Sequence, residues 1–152
     1  MISRYEIFSA AIACLNPDIQ KIERVEMAKY GLKGPHAQCL LAMSRHPEGL
    51  TSSRLCEICE KDKAAVSRSV AELEQAGLLS IDEKKGVRYR ALLRLTLAGF
   101  SAADAVRERA ELAVSQAGTG LDDSQREVFY EVLGKISGNL HAICKDGLKE
   151  KE

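Results

Sequence analysis

The chain has 152 residues, with 22 Lys/Arg against 22 Asp/Glu, 45% hydrophobic and 29% charged. One domain is expected at this length, with enough chain to bury a core. The composition is that of a soluble globular protein, and the lack of any 18-residue apolar run excludes a membrane-spanning helix. The opening stretch MISRYEIFSAAIACLNPD lacks the layout of a signal peptide, so a cytoplasmic protein is expected.

Tyr5, Phe8, Ile12 and Leu15 recur at heptad-like spacing and predict an N-terminal helix with one apolar stripe. Asn16-Pro17 is expected to break it, with Asn16 as cap and Pro17 at the first position of a second helix. That second helix should run to about Tyr30, before Gly31.

The stretch Leu50 to Leu79 carries most of the information. Thr51 or Ser52 can cap a short helix with Leu55, Ile58 and Cys59 on one face. Glu60-Lys61 makes a polar turn. Asp62 is a good N-cap and suits the positive end of a helix dipole. Val66, Val70, Leu73 and Ala76 then form a buried stripe, and Lys63, Ala64, Ser67 and Arg68 lie opposite. Gly77 can take the left-handed conformation that ends a helix. This is the layout of a helix-turn-helix, whose second helix enters the major groove of DNA. An ordinary helical hairpin with a polar outer face is the bland alternative.

Leu78 to Ile81 reads as a short strand, Asp82 to Gly86 as a charged tip and Val87 to Leu95 as a second strand. Lys84, Lys85, Arg88 and Arg90 cluster on this hairpin. A basic hairpin after a recognition helix is a wing that grips phosphates or enters the minor groove. Net charge agrees in its distribution: residues 61–94 carry eight Lys/Arg and five Asp/Glu, residues 101–152 seven and ten. DNA affinity follows local phosphate neutralisation, not the total.

Beyond the wing, Ser101 is expected to start a helix carrying Val106, Ala110, Ala113 and Ala117. Gly118-Thr119-Gly120 is a turn. Asp122 opens a last helix with Phe129, Val132, Leu133, Ile136, Leu140 and Ile143 on its apolar face. The two ends either cover the same core or pair with another chain.

Taken together, residues 31–99 resemble the MarR family of winged helix-turn-helix regulators. The resemblance rests on GLKGPHAQCLLAM at 31–43, on the D-K-x-x-V-S-R core at Asp62 to Arg68, and on LRLTLAG at 93–99, similar to the family's L-T-x-x-G exit from the wing. The tip departs from the family's Asp-x-Arg, since Glu83-Lys84 follows Asp82. The implied fold is mainly α: a winged helix-turn-helix with a small antiparallel wing, plus N- and C-terminal dimerisation helices. Residues 1–152 form one such domain, with a DNA-binding lobe at 32–99 and dimerisation helices at 1–31 and 100–146.

The function this implies is a homodimeric transcription regulator, a repressor on double-stranded operator DNA, released by a small aromatic or phenolic ligand. The expected DNA-contacting residues are Ser52, Ser53, Lys61, Lys63, Ala64, Ser67, Arg68, Lys84, Lys85, Arg88 and Arg90. Tyr5, Phe8, Ile12, Phe129, Val132, Ile136 and Leu140 are expected at a dimer interface. The cleft for the ligand would be lined by Gly34, His36, Cys39 and Met43. Two alternatives stand beside this: a metal- or thiol-redox-sensing regulator of the same fold, and a winged-helix interaction module without DNA binding.

No cofactor or metal is expected. Cys56-x-x-Cys59 has the spacing of half a zinc site, but no second pair is near, and core packing explains both residues better. His36 and Cys39, three apart, are too few ligands for a metal. Some relatives sense peroxides with an N-terminal cysteine held by tyrosines. Here Lys33 to Ala37 holds no tyrosine, so Cys14 is expected to be packed. An enzyme is not expected: there is no Gly-rich phosphate loop, G-x-S-x-G or H-E-x-x-H.

Overall fold

The computed structural model describes residues 3–82 and 91–148. The chain divides into two compact units, residues 1–113 and 114–152.

In the first unit, α1 (Arg4–Met27) opens on a capping box. The Glu6 N–H donates to Ser3 Oγ at 3.1 Å, and the Ser3 N–H donates to the Glu6 carboxylate at 2.6 Å. The helix runs through Pro17 without a break, which corrects the expected division at Asn16-Pro17. An interior proline removes one donor and crowds the preceding turn, at about 3 kcal/mol, but its φ is helical. Capping at Ser3 and burial of Met27 hold the helix on either side of that defect. A single 3₁₀ turn, Ala28–Tyr30, follows and ends at Gly31 with φ +70°.

The next helix, α2 (Gly34–Ser44), packs on α1 through Gly34, where a Cβ would stand 2.9 Å from the Gln20 carbonyl oxygen. Helix α3 (Ser52–Cys59) is capped by Thr51, whose hydroxyl accepts from the Arg54 N–H at 3.2 Å. Helix α4 (Lys63–Gln75) is capped by Asp62, which accepts from the Ala65 N–H at 2.8 Å. Val66, Ser69, Val70 and Leu73 form its buried face. Gly77, at φ +74°, closes α4 in a Schellman motif: its N–H donates to Glu74 O and the Leu78 N–H donates to Leu73 O.

Leu78 is thereby spent on the cap, so β1 is Leu79–Asp82, one residue later than the expected strand. It pairs antiparallel with β2 (Leu92–Leu95), Leu79 opposite Leu95 and Asp82 opposite Leu92. Leu50 adds a bridge on the other edge, exchanging two backbone bonds with Leu93 at 2.8 and 3.0 Å. The rest of the expected second strand, Val87 to Arg90, lies outside the described residues.

Helix α5 (Leu97–Ala117) begins four residues before the expected Ser101. Thr96 is the reason: its hydroxyl accepts from the Gly99 N–H at 3.1 Å and so caps the helix early. Gly99, Ala102, Ala103 and Val106 pack inward. The core joins Met27, Leu40, Met43, Leu55, Val66, Leu73, Leu78 and Val106, all essentially inaccessible to solvent. Glu26 of α1 is buried and paired with Lys29 and with Arg109 of α5, whose Nε donates at 2.7 Å. Those bonds, from Lys29 first and Arg109 second, hold its carboxyl below the usual range.

In the second unit, Asp122 caps α6 (Asp123–Asp146), accepting from the Gln125 N–H at 2.8 Å. Arg126 ties the preceding turn down by donating to Gly118 O at 2.8 Å and to Leu121 O at 3.3 Å. No residue of α6 is buried, and Phe129, Val132, Ile136, Leu140 and Ile143 form an exposed apolar face. Among the described residues no helix is long and apolar enough to cross a membrane.

Candidate nucleic-acid interface

Helix α4 presents two chemically distinct faces, because residues three and four apart share a side. Lys63, Ala64, Ser67 and Arg68 are all exposed, opposite the buried Val66, Ser69, Val70 and Leu73. The outward set is compact: two small residues between two cations, on the first two turns. Such a surface lets a helix approach base edges closely while its cations meet phosphates or guanine. Asp62 orders this end of the helix without masking it, since its carboxylate is spent on the Ala65 N–H.

Ser52 and Ser53 are exposed on the first turn of α3. Lys61 is half-buried in the turn between α3 and α4, and its Nζ donates to the Pro35 carbonyl at 3.3 Å. It is thus drawn toward α2 and does not share the outward face of Lys63 and Arg68. It also lies close enough to the buried Glu23 of α1 to oppose that carboxyl's upward shift, which burial causes. Lys84, Lys85, Arg88 and Arg90 lie outside the described residues. At the base of the hairpin, Arg94 faces Asp82 at 4.0 Å.

Of the four residues expected to line a ligand cleft, only His36 lines the groove of the first unit. That groove holds about 290 Å³ and is lined by Tyr30, Leu32, Lys33, His36, Glu72 and Gln75, among others. Cys39 and Met43 are buried in the core and Gly34 packs under α1. The His36 ring is buried; its Nδ1 faces the Lys33 backbone at 3.1 Å, and its Nε2 is hydrogen-bonded to the Glu72 carboxylate. This bridge ties the start of α2 to the third turn of α4. Sequence reading missed it because Glu72 lies between the apolar and outward stripes of α4 and is 36 residues from His36.

The cysteines divide differently from expectation. Cys14 is exposed, not packed. Cys56 and Cys59 are half-buried against the core, as their spacing suggested. Cys59 packs against the buried cluster that includes Cys39.

Two helices joined by a tight turn, the second capped at both ends and followed by an antiparallel hairpin, define a winged-helix protein. Residues 30–86 match the sequence model of the MarR family. Three solved structures show the same fold over nearly the whole chain. A MarR-family regulator from Listeria monocytogenes, crystallised with a 26mer DNA, is 20% identical with a TM-score of 0.77, covering 94% of this chain and 97% of that one. A MarR-family regulator from Silicibacter pomeroyi is 20% identical with a TM-score of 0.74, covering 91% and 92%. A MarR protein from Peptoclostridium difficile is 17% identical with a TM-score of 0.79, covering 92% of each. No curated protein matches in sequence. The resemblance read from the sequence is borne out to this extent: residues 30–86 match the MarR family model, and the chain has the fold of solved MarR-family structures.

Proposed function

We propose that this chain is a homodimeric, sequence-specific DNA-binding transcription repressor. The observation that carries the reading is the exposed face of α4, where Lys63, Ala64, Ser67 and Arg68 stand together on a helix anchored at both ends. A rigid helix with small residues between cations suits the major groove, and Ser52 and Ser53 suit the flanking phosphates. Lys84, Lys85, Arg88 and Arg90 would serve the wing. The Listeria relative with a 26mer DNA supports the same reading.

Dimerisation is supported by two unpartnered apolar faces. Tyr5, Phe8, Ile12 and Leu15 of α1 are exposed, as are Phe129, Val132, Ile136 and Leu140 of α6. Apolar surface of that extent is costly in water and marks an interface. A two-fold dimer would set two α4 helices about 34 Å apart, one turn of DNA, on a pseudo-palindromic site.

Release by a small ligand is supported by the groove at His36. A ligand there would touch Glu72 and Gln75 of α4 together with Lys33, the residue before α2, and so could favour one placement of the recognition helix.

The test is a mobility shift on the DNA upstream of the chain's own gene, at physiological salt, against random competitor. A single protected pseudo-palindrome resisting competitor supports the reading. Binding that competitor removes, or no binding, favours the interaction module.

A further inference from the structure

The groove of the first unit lies between two helix ends of opposite sign. One wall is the amino end of α2, where Lys33 is the N-cap residue and His36 sits in the first turn. The other is the carboxyl end of α4, with Glu72 and Gln75 in its last turn. A helix carries about half a positive charge at its start and about half a negative charge at its end. The side chains repeat those signs, Lys33 on the positive wall and Glu72 on the negative one. Each charge thus stands at the helix end that repels it. Folding gains nothing from that placement, and a ligand of opposite charge at each wall would offset it.

His36 spaces the two walls. Its Nδ1 faces the Lys33 backbone at 3.1 Å, and its Nε2 is hydrogen-bonded to Oε2 of Glu72. Glu72 is half exposed, and among the described residues only its Oε2 is engaged. Buried Leu32 and the exposed Tyr30 ring add apolar surface. At about 290 Å³ the groove has room for roughly ten waters, or for one molecule of about as many non-hydrogen atoms.

We propose that this groove binds a free α-amino acid, its ammonium on Glu72 and its carboxylate on Lys33. That such binding releases DNA rests on the ligand reading above; the chemistry of the site does not.

Charge decides the class. A carboxylate alone, a phenolic acid included, pairs with Lys33 but brings a second negative group to Glu72 and the end of α4. An amine alone pairs with Glu72 but meets Lys33 and the start of α2. A zwitterion suits both walls and carries no net charge into the groove. An ammonium has three donors. Glu72 Oε1 takes one, and the side-chain carbonyl of Gln75, a neighbour on the helix surface, takes a second. The flexible stem of Lys33 lets its Nζ follow the carboxylate. An apolar side chain lies against Leu32 and Tyr30. The occupant thereby ties the last turn of α4 to the start of α2, beside the His36–Glu72 bond.

The full chain would be titrated by calorimetry with each standard amino acid, then with the deaminated and decarboxylated analogues of the best binder. At least one amino acid is expected to bind once per chain, and both analogues more weakly by roughly tenfold or more, the worth of a charge-assisted bond. Glu72→Gln, which keeps an acceptor for His36, and Lys33→Met should each cause a comparable loss with unchanged circular dichroism. No binding by any amino acid, equal binding by either analogue, or full binding retained in either variant overturns the proposal. At saturation with the best binder, operator affinity should fall by roughly 5- to 150-fold, the usual range for coupled sites. Unchanged affinity overturns the release reading and leaves the site standing. If the chain binds no DNA, the repressor reading fails, while calorimetry still decides the site.

Discussion

A Cβ on Gly99 would stand 2.0 Å from the carbonyl oxygen of Leu78. The first turn of α5 is therefore pressed against the end of α4, and Thr96 fastens the two. Its hydroxyl donates to Gly77 O at 2.7 Å and accepts from the Gly99 N–H, and its own N–H donates to Leu78 O at 3.1 Å. The L-T-x-x-G pattern thus has a mechanical meaning: Thr joins the recognition helix to α5, and Gly permits the approach.

Gly99→Ala should lower stability by about 1–3 kcal/mol, the range for overpacking, because backbone must shift to admit the methyl. Thr96→Val removes the cap and should cost about 1 kcal/mol. Urea unfolding checks both: the midpoint should fall with the slope unchanged. A Gly99→Ala chain as stable as wild type would show that the two helices are not so closely packed.

Glu23 is buried, its Oε2 has no hydrogen-bond partner among the described residues, and burial raises its carboxyl pKa above the ordinary 4.5. The folded chain therefore holds that proton more tightly than the unfolded one. This favours folding fully below about pH 4.5 and is lost as pH rises through the raised folded value. Glu23→Gln should gain stability relative to wild type between pH 4.5 and 7, and Lys61→Met should lose it over the same interval. Denaturant titrations at pH 4 and pH 7 measure both; pH-independent differences would rule out charge burial as the cause.

Removing the His36–Glu72 bridge should loosen α2 from α4. His36→Ala is expected to cost about 1–3 kcal/mol through the lost charge-assisted bond, and Glu72→Ala less, since Glu72 is half exposed and can be solvated. Hydrogen exchange should show the start of α2 losing protection in both variants. Protection unchanged in both would mean that the bridge does not secure α2.

On DNA, Arg68→Ala should weaken operator binding by about 1–3 kcal/mol with little effect on random DNA if the side chain reads a base edge. An equal loss on both would make it a phosphate contact. Lys61→Ala should change operator binding less than Arg68→Ala, because Lys61 is turned toward Pro35 and Glu23. Fluorescence anisotropy at two salt concentrations separates these cases.

For the dimer, Ile12→Asp and Ile136→Glu should each shift the chain to monomer in sedimentation equilibrium and abolish tight operator binding. Both side chains are exposed in the single chain, so their replacement should leave its helical circular dichroism intact. A dimer that survives both changes would place the interface elsewhere.

Much of this protein is decided locally and could be read from its residues. Asp62, Thr51 and Asp122 are caps because their oxygens reach N–H groups three residues on. Gly77 ends α4 because glycine takes positive φ without strain. The inward and outward faces of α4 follow from its spacing alone. Other features needed residues that are distant in the chain to meet. Pro17 stays helical since a local penalty is outweighed by flanking order. Lys61 faces Pro35 and Glu23, not the outward side of α4, and His36 finds Glu72. The physical reason is range: caps and periodicity act within one or two turns, whereas a buried polar partner is chosen by which helices pack together, and that is known only once the core has closed.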